Sequence, residues 1–152
     1  MIPEYVCTYI SQFVEAHSGV IEIWLFGSRA NCTSHDDSDW DLMVFGSEAV
    51  LQDLQRDIRF IDPMFDVLVV YDGDKFAGLQ TQNQKNGSLT EWQWTKDSAE
   101  LATYHATKAV FNEHGEEEFN SVPKCCRAIR IFPVALFFAM FIKYCLRRMV
   151  CR

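Results

Sequence analysis

The chain has 152 residues, of which 49% are hydrophobic and 23% are charged. This balance is typical of a folded globular protein of single-domain size, and it excludes a disordered or low-complexity chain. The formal net charge of −7 argues against direct binding to a nucleic-acid backbone. An acidic protein of this kind instead attracts divalent cations or a basic partner.

The first half of the chain predicts alternating helices and strands. Apolar residues at helical spacing predict a helix over residues 3–18 and a second helix near residues 48–59. Residues 20–26 and 39–45 have the apolar pattern of strands. The β-branched run in Phe65–Tyr71 predicts a third strand that is buried on both faces.

The second half of the chain gives weaker patterns. We predict an exposed loop over residues 81–88, a strand over residues 88–95 and a helix near residues 99–111. Trp92 and Trp94 lie on one side of that predicted strand, where core packing is expected and stacking on a substrate is the alternative.

The C-terminal part differs in charge from the rest. Residues 1–119 carry all 21 acidic residues and half of the 14 basic ones, whereas residues 120–152 carry the other half and no acid. The apolar run 131–142 spans roughly 18 Å as a helix, which is shorter than a bilayer core. We expect it to pack against the domain or a second subunit, with membrane contact as the alternative.

The six cysteines and the N-terminus bear on the cellular compartment. The cysteines form no C-x-x-C pair and no zinc-type spacing, and the first residues lack the basic and apolar regions of a signal peptide. We therefore expect reduced thiols and a cytoplasmic protein.

Three aspartates in the predicted strands form a candidate metal site. Asp39 and Asp41 lie two residues apart, so their side chains leave one face of the strand, roughly 6–7 Å apart. Asp66 stands at the start of the next strand, beside apolar residues where a lone acid is unexpected. A divalent cation would relieve the repulsion, since Mg²⁺ prefers carboxylates, water and phosphates. If the two strands are neighbours, the three acids can form a two-metal site.

A glycine-serine turn precedes these acids. Gly27 and Ser28 end an apolar strand, and Gly27 allows the backbone to approach a phosphate closely. Ser28 offers a hydroxyl group, and Arg29 offers a guanidinium for a triphosphate tail. A phosphate-binding turn followed by an acid cluster predicts nucleotidyl transfer.

The motif LFGS, ten further residues and DWDL together resemble the signature of the polymerase β-like nucleotidyltransferase superfamily. In that family a hydrophobic residue and Gly-Ser are followed by Asp-hydrophobic-Asp-hydrophobic, and a third acid lies on a later strand, as Asp66 does. The motifs GSRA and SDWDL are most similar to the minimal nucleotidyltransferases. Asn31 departs from that subgroup, where a glycine often follows Arg-Ala.

The resemblance covers roughly residues 20–72 and implies the roles of the site residues. It implies that Gly27 and Ser28 bind the triphosphate, and we predict that Arg29 binds it as well. The acids are expected to bind two Mg²⁺ ions, with Mn²⁺ as the alternative. The catalytic metal ligands implied are Asp39, Asp41 and Asp66.

The predicted fold class is α/β, a small mixed β-sheet flanked by helices. We assign residues 1–120 to a nucleotidyltransferase domain and residues 121–152 to a basic, apolar helical segment. The predicted reaction moves a nucleoside monophosphate from a nucleoside triphosphate such as ATP to an acceptor hydroxyl and releases pyrophosphate. The acceptor is a small molecule, such as an antibiotic, or a protein.

A second hypothesis is an interaction module of the same fold, similar to nucleotidyltransferase-type antitoxins that bind a helical toxin protein. The complete set of three acids favours the enzyme, whereas the acidic body favours a module that covers a basic partner. A homodimer is a further expectation for the C-terminal segment, and no direct nucleic-acid binding is expected.

Overall fold

The computed structural model describes residues 2–79, 85–105, 107–111, 114, 117–121 and 125–133, with the backbone alone for 107–111 and 117–121. Its elements in chain order are helix α1 (Glu4–Ala16), strand β1 (Glu22–Leu25), short helix α2 (Gly27–Ala30), strand β2 (Trp40–Phe45), helix α3 (Glu48–Arg56), a 3₁₀ turn (Ile58–Phe60) and strands β3 (Phe65–Tyr71), β4 (Lys75–Gly78), β5 (Asn86–Ser88), β6 (Thr95–Lys96), β7 (Leu101–Tyr104), β8 (Thr107–Phe111), β9 (Glu117–Ser121) and β10 (Cys126–Phe132).

Eight strands form one mixed sheet in the order β5-β4-β3-β2-β1-β10-β7-β6. Strands β2 and β3 are parallel, and the other neighbours are antiparallel. Strands β8 and β9 form a separate antiparallel pair. The predicted α/β class is confirmed, but the sheet is larger than the small sheet we expected.

Helices α1 and α3 cover one face of the sheet. Val6 and Phe13 of α1 and Leu54 of α3 are fully buried, because apolar residues recur on one side of each helix. Helix α3 begins where the Ser47 hydroxyl accepts a hydrogen bond from the Val50 N–H (3.4 Å). These two helices were predicted, although α3 ends at Arg56 and a 3₁₀ turn follows.

The opposite face is covered by aromatic side chains instead of a helix. Trp92 and Trp94 pack there against buried Trp24 and Phe26, so their predicted place in the core is confirmed. The strand predicted over residues 88–95 is wrong, because the chain turns between the end of β5 and the start of β6. The helices therefore flank only one face among the residues that the structure describes.

The helix predicted near residues 99–111 is also wrong. Residues 101–104 form β7 and residues 107–111 form β8. Ala102 and Tyr104 are buried, whereas Leu101 is 47% exposed, and this alternation is that of a strand. Pairing with β10 therefore decides the conformation, because long-range contacts override a weak local helical pattern.

The C-terminal segment contributes a strand to the middle of the sheet. Strand β10 pairs with β1 on one side and with β7 on the other, which contradicts the helical assignment of residues 121–152 over this stretch. Among the described residues, no helix is long and apolar enough to cross a membrane. Residues 80–84 and 134–152 lie outside the described residues, so the packing, dimerisation or membrane role of the apolar run stays a prediction.

Candidate functional site

The structure brings the three predicted aspartates together at one edge of the sheet. Asp41 and Asp66 are register partners on the parallel strands β2 and β3, and Asp39 directly precedes β2. One carboxylate oxygen of each residue lies within 4.8 Å of the others. Asp39 is exposed, whereas Asp41 and Asp66 are half-buried. The parallel pairing of these two strands creates the cluster.

The pKa of Asp41 is strongly shifted within this cluster. Its burial, and next the charges of Asp39 and Asp66, raise the pKa of Asp41 to about 7. The Lys85 ammonium and a hydrogen bond from the Ser28 backbone N–H act in the opposite direction. Burial and the neighbouring acids together therefore disfavour the charged form of Asp41.

Lys85 is a residue of this site that the sequence did not indicate. Its ammonium contacts the Asp66 carboxylate directly. Burial lowers the pKa of Lys85, but the hydrogen bond to Asp66 and the negative charges of Asp41 and Asp39 outweigh this and raise it. The sequence predicts an exposed loop at Lys85, because no local pattern relates this residue to an acid on β3.

The chemistry of these ligands fits a hard divalent cation. Each aspartate offers a carboxylate oxygen, the type of ligand that Mg²⁺ and Mn²⁺ prefer. The spacing within 4.8 Å lets the three carboxylates share one or two ions. A divalent cation would also favour the charged form of Asp41, whose pKa is raised without one.

The glycine-serine turn lies directly against these acids. Gly27 has φ +66°, and an ideal Cβ placed on it would lie 1.9 Å from Oδ2 of Asp41. The Phe26 N–H donates to the Asp41 carbonyl oxygen at 3.0 Å, and the Ser28 N–H donates to the Asp41 carboxylate. Only glycine fits at this position, for both its backbone conformation and the space available.

Two further side chains hold Gly27, and neither was predicted. The Gly27 N–H donates to the Tyr104 hydroxyl oxygen at 2.9 Å. The Asn31 side-chain amide donates to the Gly27 carbonyl oxygen at 2.7 Å and exchanges hydrogen bonds with the backbone of Arg127. Asn31, the departure from the subgroup pattern, therefore joins α2 to β10. Tyr104 gave no signal because it follows Gly27 by 77 positions.

Arg29 holds the loop that precedes the acids. Its guanidinium donates to the carbonyl oxygens of Asp39 at 3.0 Å and Asp36 at 3.3 Å, and it also contacts the Ser38 carbonyl. Its Cζ lies 4.3 Å from the centre of the Trp40 ring. These contacts fix the backbone of Asp39, and the role of Arg29 at a triphosphate stays a prediction.

A cavity of about 320 Å³ opens beside the acid cluster. One end is formed by Asp39, Asp66 and Lys85. The other lining residues are Phe60, Ile61, Asp62, Pro63, Phe65, Val67, Gly78 and Leu79. Phe60, Phe65, Val67 and Leu79 are buried, so more of the exposed lining is polar than apolar. The cavity therefore offers a mainly polar surface beside the carboxylate of Asp66.

Comparison with known proteins places this arrangement in a family. Residues 8–90, more than half of the 152-residue chain, match the family model described as "Polymerase beta, Nucleotidyltransferase". The matched residues include the glycine-serine turn and all three aspartates, and they end before β6. Searches of curated proteins and of solved structures gave no match. The family match and the site geometry agree, and the chain belongs to the polymerase β nucleotidyltransferase family.

Proposed function

We propose that this protein is a metal-dependent nucleotidyltransferase that moves a nucleoside monophosphate from a nucleoside triphosphate, such as ATP, to an acceptor hydroxyl and releases pyrophosphate. The observation that carries this proposal is the contact between the glycine-serine turn and the three-aspartate cluster. Family membership supports the general reaction. The assignment to the minimal nucleotidyltransferase subgroup remains part of the proposal.

We propose the following roles for the residues of the site. Asp39, Asp41 and Asp66 would hold two Mg²⁺ ions, or Mn²⁺ ions. When bound, these ions neutralise the triphosphate and activate the attacking oxygen. Gly27 and Ser28 bind the triphosphate beside Asp41, and catalysis consists mainly of positioning and charge compensation.

The cavity beside Asp66 supports a small-molecule acceptor over a protein. Its volume of about 320 Å³ is near the lower end of the range of small-molecule sites. The carboxylates of Asp39, Asp62 and Asp66 in its lining favour a polar acceptor that is neutral or cationic. An acceptor seated there places a hydroxyl group next to Asp66. A protein side chain reaching into the cavity is the alternative acceptor.

The first test is calorimetric titration of MgATP and the other nucleoside triphosphates into wild type and into Asp39→Asn/Asp41→Asn. A matched control is Glu15→Gln/Asp53→Asn, which removes two exposed acids on the helix-covered face. We expect metal-dependent binding in wild type and in the control, and its loss in the Asp39→Asn/Asp41→Asn variant. Absence of triphosphate binding to folded wild type would overturn the proposal and favour the antitoxin-like module.

The second test addresses the acceptor. Pyrophosphate release is measured with small hydroxyl compounds, including polar amino alcohols, and with unfolded protein as the competing acceptor. Ile61→Trp narrows the cavity from a half-exposed position. We expect this variant to retain triphosphate binding and to lose turnover with the small compounds. Unchanged turnover would exclude the cavity as the acceptor site.

A further inference from the structure

Tyr104 reaches the glycine-serine turn from a strand outside the family match. It ends β7, whereas the family model covers residues 8–90. Its hydroxyl oxygen nevertheless accepts a hydrogen bond from the Gly27 N–H at 2.9 Å. The turn predicted to bind phosphate is therefore held by a part of the chain to which the family match assigns no role.

The Tyr104 side chain has little freedom to move. It is 3% exposed, and its ring is stacked with Trp92 at 5.5 Å and with Trp94 at 5.6 Å between ring centres. Burial raises the pKa of Tyr104, so the hydroxyl keeps its proton. A neutral hydroxyl group in a fixed position is suited to fixing the backbone atom that it contacts.

The contact with Tyr104 matters because Gly27 lies so close to Asp41. The Gly27 N–H is held by Tyr104, and the next N–H, that of Ser28, donates to the Asp41 carboxylate. On the other side of the same residue, Asn31 holds the Gly27 carbonyl oxygen at 2.7 Å. Both peptide groups of Gly27 are thus restrained by side chains, and the Tyr104 restraint comes from outside the motif.

We propose that Tyr104 is a positioning residue of the nucleotide site, whose hydroxyl group holds Gly27 against Asp41 so that a bound triphosphate is aligned with the metal ligands. This inference rests on the proposed function, because it assigns Tyr104 a part in the same site. It gives β7, which follows all the motif residues in the chain, a part in the site.

The test is Tyr104→Phe, which keeps the ring stack and removes the hydroxyl group. The Gly27 N–H then loses its partner in a partly buried setting, and we expect MgATP to bind about ten- to a hundredfold more weakly. Binding of Mn²⁺ without nucleotide should fall much less, because the three carboxylates remain. Phe76→Leu is the matched control, since Phe76 belongs to the same aromatic cluster and its ring lies 4.8 Å from Trp92.

A merely structural role predicts a different result. In that case Tyr104→Phe and Phe76→Leu would lower thermal stability alike and leave MgATP affinity unchanged, and the proposal would be overturned. An equal loss of Mn²⁺ and MgATP affinity in Tyr104→Phe would overturn it as well. If Tyr104→Phe does not fold, Asn31→Ala removes the other side-chain restraint on Gly27 and should show the same selective loss. Unchanged MgATP affinity in Asn31→Ala would then overturn the proposal.

Hydrogen exchange at the Gly27 amide separates this inference from the proposed function. We expect a protected Gly27 amide in wild type and faster exchange in Tyr104→Phe, whether or not nucleotide is present. If wild type binds no triphosphate, the proposed function fails, and the nucleotide role of Tyr104 fails with it. If wild type binds MgATP and exchange at Gly27 is the same in both proteins, only the role of Tyr104 is overturned.

Discussion

Gly27 and Asp41 are so close that a Cβ atom on Gly27 would lie 1.9 Å from Oδ2 of Asp41. Gly27→Ala therefore forces the turn and the carboxylate apart, in addition to the strain of an alanine at φ +66°. We expect a loss of roughly 2–5 kcal/mol in the free energy of unfolding. We also expect MgATP binding to be lost, as measured by calorimetry at a temperature where the variant is folded.

Gly73→Ala is the matched control for this substitution. Gly73 also has a positive φ of +85°, but nothing lies within 4 Å of its ideal Cβ. Gly73→Ala should cost only the conformational strain of about 1–2 kcal/mol and should leave MgATP affinity unchanged. Equal losses in the two variants would show that the contact with Asp41 is unimportant.

The raised pKa of Asp41 predicts how stability depends on pH without metal. This pKa is about 7 in the folded protein, against an ordinary value of 3.8. Between about pH 4 and pH 7 the folded state therefore holds a proton that the unfolded state has released. The stabilising contribution of Asp41 to the free energy of unfolding is fully present below about pH 4, and it is lost as the pH rises through 7.

Asp41→Asn tests the direction of this pH dependence of stability. In metal-free protein at pH 8 we expect the variant to be more stable than wild type by about 2–4 kcal/mol, because it carries no charge there. Near pH 4 wild type and Asp41→Asn should be equally stable, and at pH 8 Mg²⁺ should stabilise wild type alone. Thermal melts with and without a chelator measure this, and Asp53→Asn serves as an exposed control. A variant that is less stable at pH 8 without metal would contradict the prediction.

Lys85→Met removes the cation that contacts Asp66 while it keeps the length of the side chain. We expect Mn²⁺ to bind at least about threefold more tightly, because the ammonium no longer competes for the carboxylates. The stability of the metal-free protein should fall, because no ammonium group then offsets the repulsion between the acids. Lys75→Met is the control, because Lys75 pairs with Asp72 at 3.6 Å on the surface. Weaker Mn²⁺ binding in Lys85→Met would show that the lysine supports the site in another way.

Arg29→Lys separates the loop contacts of Arg29 from its predicted role at the triphosphate. A lysine cannot reproduce the donor geometry that reaches Asp36 and Asp39. If the loop contacts dominate, the free energy of unfolding falls by about 1–3 kcal/mol and Mn²⁺ binds more weakly. Loss of MgATP affinity with unchanged Mn²⁺ affinity would instead identify a direct contact with the triphosphate. Arg59→Lys, at an exposed pair with Asp57, is the control.

The local patterns of the first 72 residues predicted the elements that form the site. Apolar spacing located α1 and α3, and the β-branched run located β3, because these elements bury one face or both faces. The acid pair at Asp39 and Asp41 was visible because alternate residues of a strand share a face. The adjacency of Asp66 depended on β2 and β3 being neighbours, and the structure pairs them.

The second half of the chain could not be predicted in the same way. Strands β6 and β7 are only two and four residues long, and β7 pairs with β10 far along the chain. Such short segments carry too little pattern to outweigh a weak helical signal, so the predicted helix over residues 99–111 was wrong. The run that begins at residue 131 appeared helical, although β10 continues through Phe132 in the sheet.

The sequence alone determined a glycine-serine turn, three carboxylates of the type that hard cations prefer, and the order in which the strands carry them. These features depend on residue type and short spacing, which a linear pattern expresses directly. Tertiary structure alone decided which side chains complete the site. The Lys85 ammonium at Asp66 and the Tyr104 hydroxyl at Gly27 join residues 19 and 77 positions apart. The pairing of strands brings such residues together, and it depends on burial summed over the whole sheet.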